Sequence, residues 1–370
     1  MTMTVLNYRV GFNTPAFLGN AEQQGQWRAP PFKALLRQWW RVVTAHQHGF
    51  AWDRVLQQEN ALFGSAGDDK DGGKSKVQLR LSRWDAGSLT ALPFMARHRH
   101  PDVGKDVESA LYLGYGPVTG GGIRKAIAPG TDQAALQLRC PTADAQDIGK
   151  AMQLIGWFGC LGSRARNGWG SREVQGVRVM GLEDLNDATL AQQAPTRPLA
   201  DAMQDRLAGE WPHAIGQCGD GRPSVWRVVQ GKKLNPDGTG AYLGFDNWTG
   251  VMERLAELKI GLRTSFELRA GGPHARVEGR HMLAYPVTHH ALSGLDNARM
   301  ANPLRFKVGQ TQSGKYFGML VHLPCVMPAA MFKPSRVPVP EVSCQIAVWR
   351  QVHAYLGAQG KDKLARIRKS

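Results

Sequence analysis

Residues 143–180 read ADAQDIGKAMQLIGWFGCLGSRARNGWGSREVQGVRVM, and this stretch places a glycine-rich loop between two regular elements. We predict a helix over residues 143–158 and a strand over residues 173–180. Glycine and asparagine mark the loop between them, since both residues favour turns. The order helix, loop, strand is the second half of a βαββαβ unit.

The chain before this stretch supplies the first half of that unit. Residues 5–13 alternate apolar and polar side chains as a strand does, and Pro30 and Pro31 open a helix over residues 32–44. A short second helix ends near Phe63, and further strands are predicted over residues 77–82, 110–113 and 134–140. This order predicts an α+β fold whose first domain is a ferredoxin-like βαββαβ unit.

The second half of the chain is interpreted as a more decorated copy of the same unit. The polar stretch 191–199, with Pro195 and Pro198, is interpreted as a linker. Beyond it we predict a helix over residues 247–263, a hairpin of residues 304–308 and 316–323, and an amphipathic helix over residues 342–356. The prediction is two ferredoxin-like domains with insertions, residues 1–190 and 200–360, and a basic tail over residues 361–370 without a core signal.

The amino-acid composition indicates which class of binding partner the protein has. The chain has 370 residues, enough for two domains of about 150 residues each. Its 46 Lys and Arg against 30 Asp and Glu give a net charge of +16, which favours a polyanion such as nucleic acid or an anionic membrane surface. A hydrophobic content of 42% excludes a mainly disordered chain.

Cellular context is also constrained by the sequence. No apolar run reaches the roughly 18 residues of a membrane helix, and residues 1–7 lack a signal-peptide pattern, so we expect a cytoplasmic protein without a membrane partner. The five cysteines form no C-x-x-C pair, which argues against a zinc knuckle and against a disulfide framework.

The glycine-rich loop is the first candidate binding site. Its glycines allow close approach of a ligand to the backbone, and its arginines, with Arg172 just after it, match phosphate geometry. An aromatic residue in a basic loop can stack on a base. The alternative is an ordinary glycine-rich turn with solvated arginines. The candidate RNA-binding residues here are Gly162, Arg164, Arg166, Asn167, Gly168, Trp169, Gly170 and Ser171.

Two further basic features support the same interpretation. Lys33, Arg37 and Arg41 are spaced by four and align on one face of the first helix, where they form either an RNA-tracking row, together with Arg28, or a solvated helix face. Residues 114–125 combine glycines with Tyr115 and end in Arg124 and Lys125, which fits either a plain loop or a loop that lines RNA.

Other candidate sites fail their sequence tests. Residues 67–75 resemble a P-loop, but Asp68 stands where the first glycine is required, and Asp69 and Asp71 would repel phosphates. The histidine pairs His98/His100 and His289/His290 lack zincin spacing. We predict no catalytic residue, no metal site and no cofactor, although a histidine acting as general acid or base on an RNA 2′-hydroxyl stays an alternative.

The motifs, taken together, resemble a known family. Residues 14–20 (TPAFLGN), 32–41 (FKALLRQWWR) and 62–65 (LFGS), followed by Gly168-Trp169-Gly170-Ser171, resemble the RAMP superfamily and, within it, the first subunit of the Cmr complex, the type III-B CRISPR effector. The resemblance covers about the first 180 residues. Residues 299–307 and 316–324 are more weakly similar to the second domain of the family.

The resemblance implies two ferredoxin-like RAMP domains in an antiviral ribonucleoprotein. It implies binding of guide RNA (crRNA), near its 3′ portion, or of target RNA, without catalysis and beside other RAMP subunits. It assigns RNA contact to the glycine-rich loop and a basic face to the first helix. Asn20 stands where a glycine is common, and the second half lacks an equivalent loop. The alternatives are a RAMP endoribonuclease and a free-standing DNA-binding or scaffold protein.

Overall fold

The computed structural model describes residues 2–65, 73–176, 179–234, 240–269, 274–295, 297–333 and 335–369. It has an α+β fold with two four-stranded antiparallel sheets, and the predicted fold class is confirmed at this level. Among the described residues, no helix is long and apolar enough to cross a membrane.

The helices and strands alternate along the described ranges. The helices are α1 (Ala29–Thr44), α2 (Trp52–Phe63), α3 (Ser109–Gly114), α4 (Ala145–Phe158), α5 (Asp187–Gln193), α6 (Leu199–Gln204), α7 (Leu207–Glu210), α8 (Trp248–Thr264), α9 (Gly279–Leu283) and α10 (Val342–Gly357). The strands are β1 (Met3–Phe12), β2 (Gln78–Leu81), β3 (Arg97–His100), β4 (Lys105–Glu108), β5 (Val118–Thr119), β6 (Gly122–Ile123), β7 (Ala134–Pro141), β8 (Arg172–Gly176), β9 (Thr196–Pro198), β10 (Ile215–Gln217), β11 (Val225–Val228), β12 (Gly231–Leu234), β13 (Gly240–Leu243), β14 (Leu304–Gln310), β15 (Tyr316–His322) and β16 (Leu364–Arg366).

The first sheet has the strand order β2-β7-β1-β8, and every neighbouring pair is antiparallel. Helix α1 follows β1, and α4 joins β7 to β8. Pro30 and Pro31 lie at the first positions of α1, where a missing N–H breaks no hydrogen bond. The sheet therefore contains two strand–helix–strand connections, one from β1 through α1 to β2 and one from β7 through α4 to β8. The two helices pack against each other on the same face of the sheet.

The second sheet has the order β14-β15-β11-β16, again antiparallel throughout. Helix α8 lies between β11 and β14 in sequence, and α10 joins β15 to β16. Asn247 caps the N-terminus of helix α8, because its side-chain oxygen accepts a 2.9 Å hydrogen bond from the Gly250 N–H. The second sheet thus repeats the strand and helix order of the first.

Helix α4 joins the two halves. It packs on α1 and β8 of the first half and on β14 and β15 of the second. Its buried residues include Ile148, Leu154 and Trp157, which surround the helix axis instead of forming one stripe. A helix that is apolar on all sides is typical of the interior. The layers therefore run sheet, helices, sheet, helices, with α4 between the two sheets.

The first sheet keeps one face open to solvent. Along β1 and β7, buried and exposed residues alternate, as in a strand that covers a core on one side only. In the second sheet, β14 and β15 are buried along almost their whole length, because α4 covers one face and α8 covers the other. The two sheets therefore differ in what they can present to a partner.

Most predicted elements are confirmed, and three interpretations are wrong. Residues 110–113 form part of α3, not a strand; Ala110 and Leu113 are both buried and lie three residues apart, on one helix face. Residues 191–199 are no open linker, because they hold the end of α5 and the strand β9, which pairs with β10. The predicted tail contains the strand β16, whose residue Leu364 is buried.

The predicted strand over residues 173–180 is observed as β8, and residues 177 and 178 lie outside the described ranges. The predicted P-loop look-alike, residues 67–75, also lies mostly outside them, including Asp68, Asp69 and Asp71. The domain boundaries stay a prediction.

Candidate nucleic-acid interface

The glycine-rich loop closes on itself between α4 and β8. Its two ends are joined by hydrogen bonds from Leu161 N to Gly170 O (2.8 Å) and from Arg172 N to Gly159 O (3.0 Å). Gly170 has a φ of +61°, and a Cβ there would lie 1.9 Å from the Leu161 carbonyl oxygen. This glycine is required by the packing of the loop on itself, so it does not line an open ligand site.

The second half of the loop is buried. Trp169 is fully buried, and its ring lies 5.3 Å from Phe17 and 6.1 Å from Trp248, measured between ring centroids. Ser171 is buried too, and its hydroxyl donates to Gly168 O (2.7 Å) and accepts from Val308 N (2.8 Å). The predicted stacking of Trp169 on a base is therefore wrong, because its ring already packs in the core.

Two arginines of the predicted site face the interior. Arg172 is 1% exposed and lies over the Phe32 ring at 4.1 Å, and burial lowers its pKa to about 9. Arg166 donates to Asn302 O (2.9 Å), and burial lowers its pKa as well. Arg166 connects the loop to residue 302, and Arg172 packs on buried aromatic rings, so neither side chain is available to phosphates in this structure.

Asn167 is also engaged by the protein. Its Nδ2 donates to Leu113 O (2.8 Å), and its Oδ1 accepts from Lys259 Nζ (2.9 Å). These bonds connect the loop to α3 and α8. Gly168, like Ser171, lies in the buried part of the loop.

Strand β14 of the second sheet forms hydrogen bonds with the loop and with the residues that flank it. Phe306 N donates to Arg166 O (3.1 Å). The Nζ of Lys307 donates to Ile155 O (3.0 Å) and Arg172 O (2.6 Å), and also to Gly156 O. Lys307 is 1% exposed, and burial lowers its pKa to about 7. One side chain thus ties together the last turn of α4 and the first residue of β8.

Only the tip of the loop reaches the surface. Gly162 and Arg164 are exposed, and Ser163 N donates to Phe17 O (2.9 Å). The Nε of Arg164 donates to the Tyr115 carbonyl oxygen (2.6 Å). Tyr115 itself is 69% exposed, which is unusual for a tyrosine.

Other predicted cations gather beside this tip. Arg124 Nη1 donates to Gln23 Oε1 (2.8 Å), Gly25 N donates to Lys125 O (2.7 Å), and Arg28 Nη1 donates to Gly19 O (2.8 Å). The turn at residues 19–25 therefore connects these residues. We name the resulting set the basic surface: Arg28, Arg124, Lys125 and Arg164, together with Gly162 and Tyr115.

The charges of the basic surface are not neutralised locally. None of its four cations forms an ion pair with any described residue. Their hydrogen bonds go to backbone carbonyls and to one amide side chain, which leave the positive charge in place. Such a surface attracts a polyanion.

The predicted basic row on α1 does not belong to this surface. Arg37 and Arg41 both bind Glu59 of α2, a fully buried carboxylate, with 2.7 Å between Arg37 Nε and Glu59 Oε1. The Arg41 guanidinium also lies over the Trp211 ring at 4.2 Å. Arg37 and Arg41 therefore belong to an ion-pair cluster around a buried carboxylate and form neither an RNA-tracking face nor a solvated one. Lys33 at its end is half-buried, and burial lowers its pKa.

Tyr115 belongs to the segment that the sequence predicts as either a plain loop or a loop that lines RNA, but it is not among the predicted binding residues. The sequence does contain a signal for it, because it is an aromatic residue between two glycines in a basic segment. Within the described ranges, no group of three or more His, Cys, Asp or Glu side chains could hold a metal ion.

Of the comparisons with known proteins, the one with solved structures finds matches and the two with sequences do not. No family model matches the chain, and no curated protein matches it. Solved structures do match. The chain is similar in structure to subunits of type III-B Cmr complexes over most of its length.

The Cmr1 crystal structure from Pyrococcus furiosus, in its apo form, matches with 16% identity and a TM-score of 0.44, covering 86% of this chain and 87% of that one. A chain of the type III-B Cmr-beta complex bound to cognate target RNA and AMPPnP, in the presence of ssDNA, matches with 9% identity and a TM-score of 0.45, covering 95% and 98%. A chain of Cmr-beta bound to cognate target RNA matches with 10% identity and a TM-score of 0.45, covering 95% and 99%.

Proposed function

We propose that this chain is a non-catalytic RNA-binding subunit of a Cmr-type, type III-B CRISPR ribonucleoprotein. Its basic surface holds guide RNA near the 3′ portion, or target RNA, beside other RAMP subunits. Each four-stranded sheet with its two crossover helices is, in this proposal, one ferredoxin-like RAMP domain. The sequence motifs that resemble the RAMP superfamily support the assignment.

The basic surface carries the proposal. It combines four cations that have no ion-pair partner among the described residues with an exposed aromatic ring and an exposed glycine. Cations of this kind match phosphates, while an exposed ring can stack on an unpaired base. Single-stranded RNA offers both groups at once, whereas duplex DNA keeps its bases stacked inside the helix.

A charge-removing variant tests the surface. Arg124→Gln, Lys125→Gln and Arg164→Gln together should weaken binding of single-stranded RNA and lower the slope of log affinity against log salt by about 2, since each phosphate contact on a single strand contributes about 0.7. The melting temperature should stay nearly unchanged, because exposed cations add little to stability.

The matched control removes the same charge elsewhere. Arg350→Gln, Lys361→Gln and Lys369→Gln alter three exposed cations on α10 and near the C-terminus. Equal RNA affinities and equal salt slopes of the two triple variants would refute the basic surface as the binding site. Stronger binding of duplex DNA than of RNA would favour the DNA-binding alternative.

The absence of catalysis needs its own experiment. Labelled guide and target RNA should stay intact during long incubation with the protein, with or without magnesium or manganese. A histidine-driven nuclease would leave a 2′,3′-cyclic phosphate without metal, whereas a carboxylate-driven one would need the divalent ion. Discrete products that vanish after one His→Ala or Asp→Ala substitution would establish the endoribonuclease alternative.

A further inference from the structure

The open face of the first sheet carries an unexplained set of arginines. Arg9 on β1, Arg80 on β2 and Arg139 on β7 all point away from α1 and α4 and are exposed. We name this the outer sheet face. The other outward residues on it are mostly amides: Asn7, Gln78, Gln137 and Gln175.

The strand register places two of these arginines next to each other and the third further along the sheet. Arg139 lies opposite Gln78, and Arg80 lies opposite Gln137, so the two arginines are diagonal neighbours about 7–8 Å apart. Arg9 lies opposite Ala135, further along the same face. The three side chains are therefore spread over three adjacent strands as an arginine band, in which Arg9 lies four residues along β7 from the level of Arg139.

Nothing in the described residues neutralises this band. None of the three arginines has an ion pair or a hydrogen bond with a described side chain or backbone group, in contrast to Arg37 and Arg41 on α1. The strands of this sheet place one carboxylate on the same side, that of Glu173, which is a diagonal neighbour of Arg9 and accepts a hydrogen bond from Gln175, so three cations face one anion. The outer sheet face is therefore cationic and rich in hydrogen-bond donors.

The chemistry of the face indicates what it can bind. Its outward positions carry no aromatic residue, so bases cannot stack there as they can on Tyr115. It is also poor in the apolar and aromatic residues that form the centre of protein interfaces, with Val5 as its one large exposed hydrophobic residue. Arginine and amide side chains are instead the groups that contact phosphates and sugars without reading sequence.

We propose that the outer sheet face, with Arg9, Arg80 and Arg139, is a second RNA-binding surface that holds the sugar–phosphate backbone without reading the bases. This inference rests on the proposed RNA-binding function and extends it to a face that lacks a glycine-rich loop. Strand β1 links the two surfaces, because the chain leaves Arg9 and continues to Phe17, which lies under the loop tip.

The test uses the full chain with Arg9→Gln, Arg80→Gln and Arg139→Gln combined. All three side chains are exposed and without described partners, so the variant should fold with a nearly unchanged melting temperature. Its affinity for a uridine homopolymer and for a mixed-sequence strand of equal length should fall by the same factor. The salt slope should decrease by about 2 for both strands. The control is the Arg350, Lys361 and Lys369 triple variant.

The outcomes separate this inference from the proposed function. Wild-type affinity and slope in the sheet variant, together with weakened binding in the Arg124, Lys125 and Arg164 variant, would overturn the second surface and leave the proposed function standing. The converse pattern would support the second surface and refute the basic surface. If the sheet variant loses binding to polyglutamate but keeps RNA binding, the face docks an acidic protein and the inference is wrong.

Discussion

Trp169 and Tyr115 lie close to the same loop and have opposite environments. Trp169 packs against Phe17 and Trp248 in the core, whereas Tyr115 extends into solvent next to Arg164. From the sequence, both are aromatic residues flanked by glycines, so burial could not be assigned to one and exposure to the other. That choice depends on α8, which is distant in sequence and supplies Trp248.

The two residues should respond differently to truncation. Trp169→Ala should lower the free energy of unfolding by about 3–5 kcal/mol, because it removes a buried ring. Tyr115→Ala should leave stability nearly unchanged and weaken single-stranded RNA binding by about 1–3 kcal/mol, if a base stacks on it. Urea unfolding and RNA titration of both variants check this. A stable Trp169→Ala protein with weakened RNA binding would reverse the assignment.

Lys307 gives a second prediction at this scale, and it concerns pH. Its pKa of about 7 in the folded protein lies below the usual lysine value of 10.5. Between these values the unfolded chain holds the proton and the folded chain releases it, which leaves Nζ two N–H donors for its three carbonyl acceptors. Stability therefore rises with pH in this window and is lost as pH falls towards 7. Wild type should therefore gain about 1 kcal/mol per pH unit relative to Lys307→Met.

Urea unfolding of both proteins at pH 7, 8 and 9 measures that difference. Groups that do not interact with Lys307 contribute equally to the two proteins, and burial outweighs its coupling to Cys160, Arg172 and Glu173, so the difference is dominated by Lys307. Parallel pH profiles would show that the folded protein keeps Lys307 charged through its three carbonyl partners.

At the scale of elements, the sequence predicts those helices and strands whose apolar residues recur with a regular period. Helices α1, α4, α8 and α10 and the hairpin of β14 and β15 were predictable because each has a long, regular pattern of apolar residues. The short apolar run in α3 carries no such period. Strand β16 was missed because its three residues stand among lysines and arginines, and its role is set by pairing with β11.

The candidate site was predicted in part for a related reason. Charge and glycine content identified the loop and residues 124–125, and the basic surface contains residues 124–125 and the tip of the loop. Composition could not reveal that Glu59 binds Arg37 and Arg41, since the carboxylate comes from another helix. It also could not reveal that Arg166 and Arg172 face inward.

Strand β16 gives the prediction at this scale. Deleting residues 364–370 removes the buried residues Leu364, Ala365 and Ile367 and exposes the edge of β11. The free energy of unfolding should fall by about 3–6 kcal/mol, using 1.5–3 kcal/mol for each large buried side chain. Deletion of residues 369–370 alone is the control and should be neutral. Equal melting temperatures of the two truncations would mean that the C-terminal segment is a tail after all.

At the scale of the whole molecule, the excess charge is distributed unevenly. Part of it is buried as Arg172, Arg305 and Lys307, where it cannot meet a ligand from solvent. The rest includes the four cations of the basic surface and the three of the outer sheet face. A net charge of +16 therefore overstates how many phosphates the protein can contact.

This distribution predicts the salt dependence of RNA binding. Seven contacts at about 0.7 each give a slope of about −5 in log affinity against log salt, and the four cations of the basic surface alone give about −3. Titrations of single-stranded RNA between 50 and 200 mM salt distinguish these values. A flat response would exclude electrostatic RNA binding by this chain altogether.

The position of α4 between the two sheets has a consequence for cooperativity. Because the buried side chains of α4 share one hydrophobic core with residues of both sheets, we expect that neither half of the chain folds autonomously. Unfolding of one half would remove buried contacts from the other half, so the molecule should unfold in one transition. Amide protons of α4 should exchange with solvent only through that global opening, and a chain cut between the two sheets would yield aggregating fragments instead of two separable modules.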